Sequence, residues 1–150
     1  MKTPIGSKSV LAANSTADTR TDKLQIVVLY TTPEATKIAL SCAETLGQGL
    51  GPNLYLLDIQ VVPFRCPMDR PPIDPVFTRQ RLEDLACKTE TPVHAGVVYA
   101  RSRDEALSKW LDCASLVLIP VHGFWDRWFT RSLTRTLKKL GHDVLLVPCN

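Results

Sequence analysis

Ser115-Leu-Val-Leu-Ile-Pro-Val121, then His122-Gly123, then Phe124-Trp-Asp-Arg-Trp-Phe-Thr-Arg-Ser-Leu-Thr-Arg-Thr-Leu-Lys-Lys-Leu140, then Gly141-His-Asp143-Val-Leu-Leu-Val147, is the stretch that decides the fold. The first run is apolar enough to be a strand covered on both faces. The turn at His122-Gly123 leads into an aromatic and arginine-rich helical segment, and Gly141 turns the chain into a last apolar strand. A strand, a turn and a helix N-terminus in that order form an anion-holding corner, because unpaired backbone N–H groups point outward there. A ligand site is expected at this corner.

Charge supports the same expectation. The chain of 150 residues carries a net charge of +3 from 18 basic and 15 acidic side chains. From Pro120 onward stand Arg127, Arg131, Arg135, Lys138 and Lys139 against Asp126 and Asp143, which leaves thirteen of each sign elsewhere. All of the excess therefore belongs to the last stretch and favours an anionic ligand or surface there.

The upstream chain alternates in the same way. Leu24-Gln-Ile-Val-Val-Leu-Tyr30 reads as a central parallel strand. Thr32 offers an N-cap hydroxyl and Pro33 fits the first helical position, with Ala35, Ile38, Ala39, Cys42, Ala43 and Leu46 at helical spacing behind them. Gly47 and Gly49-Leu-Gly-Pro52 end that helix. A second strand spans 54–62, and Pro63, Pro67, Pro71, Pro72 and Pro75 stiffen a surface loop after it. Asp74-Pro75 opens a helix with Leu82, Leu85 and Ala86 inside. A third strand spans 93–99, and Ser102 with Glu105 forms a capping box ahead of Leu107, Trp110, Leu111 and Ala114.

Five strands alternating with four helices predict an α/β fold, a three-layer α/β/α sandwich around a five-stranded parallel sheet of order 3-2-1-4-5. Its ligand crevice is expected outside the strand carboxyl ends, where the order reverses between the first and fourth strands. Residues 1–22 carry no periodicity and are expected to be a flexible tail before a single domain over 23–150. No apolar run is long enough to span a bilayer, and the start of the chain has no secretory core, so a cytoplasmic location is expected. The cysteines at 42, 66, 87, 113 and 149 include no C-x-x-C pair and are expected as thiols, Cys42 and Cys113 inside and Cys66 and Cys149 nearer the surface.

Several chemistries are excluded by their missing motifs. The turn Tyr30-Thr-Thr-Pro-Glu34 has no glycine, so a dinucleotide fingerprint and a Walker loop are both absent there. No G-x-S-x-G elbow exists, and the histidines at 94, 122 and 142 stand beside no evident nucleophile. His122, at a strand's carboxyl end, reads as a turn residue or phosphate-side donor before a general base. Asp58 falls inside a buried strand and must find a partner or lie near the strand's end. One basic helix without a recognised module argues against nucleic acid.

The order of elements over residues 24–148 resembles the universal stress protein family, α/β domains of the adenine nucleotide alpha-hydrolase-like type that often bind ATP and usually dimerise. ATP-binding members carry G-x2-G-x9-G-[S/T] after the fourth strand and an aspartate at the end of the first. Here Gly123, Ser132 and Leu133 match, whereas Pro120 and Arg131 replace glycines, seven residues instead of nine separate Gly123 from Arg131, and Thr31 replaces the aspartate. Proline removes a backbone N–H, arginine blocks close backbone approach while offering a guanidinium, and threonine keeps a hydroxyl without the charge. The resemblance thus places a degenerate ligand site at Thr31, Ile59, His122, Gly123, Arg131, Ser132 and Leu133, with ATP as the implied ligand.

The leading expectation is a non-catalytic regulatory or stress-response module, homodimeric through the strand Val144–Val147, with weak or lost ATP binding. The alternative is an adenine-nucleotide- or phosphate-binding protein using Gly123, Arg131 and Ser132. In the last helix, Phe129, Leu133, Leu137 and Leu140 fall on one face and Arg127, Arg131, Arg135 and the lysines on another. Trp125 and Trp128 beside Arg127 suit a protein partner or an acidic membrane surface, or else an aromatic filling of the cleft.

Overall fold

The computed structural model describes residues 24–111, 115–121 and 123–149, with side chains left out at 123–129. The expected tail over 1–22, together with Cys113, Ala114 and His122, lies outside them, as do the side chains of Phe124, Trp125, Arg127, Trp128 and Phe129.

Strands β1 (Gln25–Leu29), β2 (Asn53–Val61), β3 (Val93–Ala100), β4 (Leu116–Val121) and β5 (Asp143–Pro148) alternate with helices α1 (Pro33–Leu46), α2 (Pro75–Ala86), α3 (Arg103–Trp110) and α4 (Gly123–Lys139). All pairings are parallel and the order is β3-β2-β1-β4-β5. Ile26 pairs with Leu116 and Val28 with Leu118, so the first and fourth strands are the neighbours that the order reversal requires.

All five residues of β1 are buried because both faces are covered. Ile26 and Val28 pack with Ala39 and Leu40 of α1 and Leu82 of α2, while Val27 and Leu29 pack with Leu107 of α3 and Leu137 of α4. Two-sided burial is why β1 reads as a continuous apolar run rather than an alternating one. Each fully buried leucine or isoleucine here contributes about 1.5–3 kcal/mol by leaving water.

The helix starts follow the expected chemistry. Thr32 Oγ1 accepts from the Ala35 N–H at 3.2 Å, and Asp74 Oδ1 accepts from the Val76 N–H at 3.0 Å. At α3 the Ser102 hydroxyl accepts from the Glu105 N–H, but the Glu105 carboxylate reaches the Arg101 N–H at 2.9 Å, one residue before the partner that a reciprocal box would use.

Other packing expectations are corrected. On α1 the inner stripe is Ala35, Thr36, Ala39, Leu40 and Ala43, whereas Ile38 and Leu46 are exposed. Thr36 is inside, its Oγ1 accepting from the Thr31 N–H at 3.1 Å, and the bond satisfies the hydroxyl where it is buried. Leu140 is exposed because α4 ends at Lys139, and the turn at Gly141, with φ of +91°, carries the chain off the helical stripe. Cys149 is buried, its thiol 3.6 Å from the Ala35 carbonyl of α1, while its N–H donates to the Val121 carbonyl and so continues the rungs between β5 and β4.

Candidate functional site

β1 ends at Leu29, and its ladder with β4 stops at the Val28–Leu118 pair. Two residues further along β4 stands Pro120, which has no N–H for another rung, while β4 stays paired with β5 through Val121. The inner strands therefore part at their carboxyl ends. The cleft between them has a volume of about 590 Å3, within the range usual for small-ligand sites, which is about 300–1,000 Å3. Leu29, Leu57, Ile59, Ile119 and Leu133 give it apolar walls, and Thr31, Gln60 and Thr130 add hydrogen-bonding groups.

The charged side chains among the described lining residues are Asp58, Arg81 and Arg103. Asp58 is 3% exposed, near the end of β2. Its Oδ2 accepts from Gln60 Nε2 at 2.9 Å and from Arg81 at 3.4 Å. The carboxylate thus has the partners its burial demands. Burial nevertheless pushes its pKa above the ordinary carboxylate value, and the bond from Gln60 and the charge of Arg81 offset only part of that rise.

Arg81 rises from α2 with its guanidinium carbon 4.8 Å from the Tyr30 ring centroid and 5.7 Å from that of Phe77. The two aromatic faces and Asp58 fix its direction. Arg103 opens α3 on the other side of the sheet, a place where the helix dipole favours acids over bases. Burial pulls its pKa below the usual arginine value, and Asp58 works against that shift. Two guanidiniums against one carboxylate leave the described lining with an excess of one positive charge.

The residues expected from the sequence are divided by the structure. Thr31, Ile59 and Leu133 line this cleft. Gly123 is the first residue of α4, Arg131 and Ser132 fall within that helix as its sequence pattern suggests, and both are exposed outside the lining. His122 lies outside the described residues. The cations among the described lining residues, Arg81 and Arg103, come from α2 and α3. A signal for them did exist: a buried Asp58 requires a cation or donor nearby, and Arg103 at a helix start is anomalous. Nothing local marks Arg81.

The proline-rich loop does not enter the lining beyond Val61. It is tied down instead, with Arg101 Nη1 sharing its two hydrogens among the carbonyls of Val62, Pro63 and Cys66, and Phe64 lies against the same guanidinium. A second hollow of about 640 Å3 lies beside β3 among Tyr55, His94 and Trp110. Its residues from β2 and β3 belong to the amino-terminal halves of those strands, away from the strand ends where ligands of such sheets sit, so the candidate chemistry stays with the first cleft.

No model of a known protein family matches the chain, and no curated protein is similar to it. Among solved structures, the chain is similar to a crystal structure of a protein from the universal stress protein family from Burkholderia pseudomallei, with a TM-score of 0.57 and 19% sequence identity. The match covers 83% of this chain and 96% of that one. The likeness is one of fold, and it agrees with the strand order read from the sequence.

Proposed function

We propose that this protein is a non-catalytic regulatory module of universal-stress-protein-like architecture, which holds a small ligand in the cleft between β1 and β4 and self-associates through β5. The observation that carries the reading is the cleft itself: an open, partly apolar hollow at the order reversal, ringed by oriented polar groups. Its buried carboxylate is already engaged by Gln60 and Arg81, an arrangement suited to positioning a bound molecule.

Self-association rests on the edge of the sheet. β5 pairs only with β4 among the described residues and exposes Leu145 and Leu146, 37% and 42%. An unpaired edge with apolar side chains is a template for a second copy. Stress response is the role of the fold's namesake family and is proposed here on that likeness. No helix among the described residues is long and apolar enough to cross a membrane.

Thermal-shift measurements with AMP and ATP, combined with light scattering on a size-exclusion column, test both parts. A nucleotide present at a hundred times its Kd adds about 2.7 kcal/mol of stability, and a dimer shows twice the chain mass. A strict monomer at high concentration removes the dimer. An unchanged melting temperature at millimolar ATP and AMP leaves the cleft for other ligands and eliminates the nucleotide alternative through Gly123, Arg131 and Ser132.

A further inference from the structure

Resting on the reading that the cleft holds a small ligand, we propose that Arg81 is its specificity-determining residue and that the ligand is a small organic anion, a single carboxylate or phosphate on an apolar body. Three independent features of the cleft lead there.

The first is the incomplete satisfaction of Arg81. A guanidinium has five N–H donors, and one long contact of 3.4 Å to Asp58 is what it has from a carboxylate. Charge-assisted contacts are ordinarily about 2.7–2.9 Å. Its Nε is buried with no hydrogen-bond partner among the described residues, while 28% of the side chain stays exposed. The cation is held on Tyr30 and Phe77, yet most of its donors remain for an incoming acceptor.

The second is the sign of the charged side chains among the described lining residues, two guanidiniums, Arg81 and Arg103, and one carboxylate, Asp58, a set that favours an anionic group. The third is the shape and polarity of the rest. Leu29, Leu57, Ile59, Ile119 and Leu133 form a wall that fits an apolar or ring-shaped body. Among the described residues, Arg131 and Ser132, which the family resemblance assigns to the phosphate side, are outside the lining, so the described walls suit a small anion better than a polyphosphate.

The test is isothermal titration of the full chain with 2-naphthoate, with its neutral amide 2-naphthamide, and with 1-naphthyl phosphate. The expected result is at least ten-fold tighter binding of an anionic probe than of the amide. Arg81→Gln abolishes that preference, and Arg131→Gln leaves it intact. The better of the two anions tells a carboxylate site from a phosphate site.

Equal affinities for acid and amide overturn the proposal, as does an unchanged preference in Arg81→Gln or no binding of any probe at millimolar concentration. Should Arg81→Gln not fold, Arg81→Lys keeps the charge without the fork, and it is expected to retain the preference for the anion at reduced affinity. A preference equal to wild type in affinity and ratio sinks the claim that the fork matters. AMP or ATP binding that is indifferent to Arg81 removes this inference while leaving the ligand-binding reading standing.

Discussion

Replacing Asp58 by asparagine separates stability from function more sharply than any other single change. Removing one partner of a well-compensated buried ion pair ordinarily costs about 3–5 kcal/mol, because an uncompensated charge is left behind. Here three features reduce that cost. The Asp58 carboxylate is 3% exposed and its burial is only partly offset, so its charge is itself unfavourable. Arg81, with 28% of its side chain exposed, keeps access to water once the carboxylate is gone. Asparagine retains an acceptor oxygen for Gln60, whose amide lies 2.9 Å from the carboxylate. Asp58→Asn is therefore expected to change stability at neutral pH by less than about 1 kcal/mol, or to raise it.

The pH dependence has a definite sign. The folded-state pKa of Asp58 lies above the unfolded value, which is about 3.9. Between the two the folded chain holds the proton and the unfolded chain has lost it, so wild-type stability relative to the variant falls as pH rises through that interval and is level above it. Urea unfolding followed by circular dichroism, run on both proteins from pH 4 to pH 7, measures the difference. A loss of about 3 kcal/mol or more in the variant at pH 7, or a difference that moves toward wild type as pH rises from 4, refutes the reasoning.

Three further outcomes follow from the packing. Leu137 is fully buried between α4 and the sheet, so Leu137→Ala should cost about 2–5 kcal/mol in urea unfolding. Gly47 has φ of −88°, which alanine adopts freely, but a Cβ there would lie 2.4 Å from Pro52 Cγ. Gly47→Ala is expected to destabilise by about 1–3 kcal/mol alone and to become neutral or stabilising in a Pro52→Ala background. His142 is buried with Nδ1 accepting from the Ser115 N–H at 3.2 Å, and burial holds its pKa below the ordinary histidine value. The unfolded chain therefore takes up the proton first, and stability falls as pH drops below about 6.5; His142→Asn should flatten that part of the urea-midpoint profile.

Much of the fold was legible because local and global signals agree. Two-sided burial makes β1 and β4 continuous apolar runs, Thr32 and Asp74 cap helices as their side chains predict, and Pro33 and Pro75 stand where a missing N–H costs nothing. The details that escaped depend on long-range contacts. Thr36 is buried with its hydroxyl bonded to the Thr31 N–H, and periodicity alone would have put Ile38 in its place. Cys149 is buried by α1, far away in sequence.

The site divides along the same line. Thr31, Ile59 and Leu133, put at the site by the family resemblance, line the cleft. Arg131 and Ser132, put there by the same resemblance, lie on the exposed face of α4 and outside the lining. Arg81 and Arg103 arrive from opposite faces of the sheet, α2 and α3, and meet at Asp58 only in three dimensions.

The most direct measurement of the central claim is a two-dimensional amide and arginine-Nε NMR titration of the full chain with 2-naphthoate. The account predicts saturable shifts at Tyr30 to Thr32, at Asp58 to Val61 and at the Arg81 Nε. Shifts confined to Arg131, Ser132 and their neighbours on α4, or no saturable shift around Asp58 and Arg81, would contradict it.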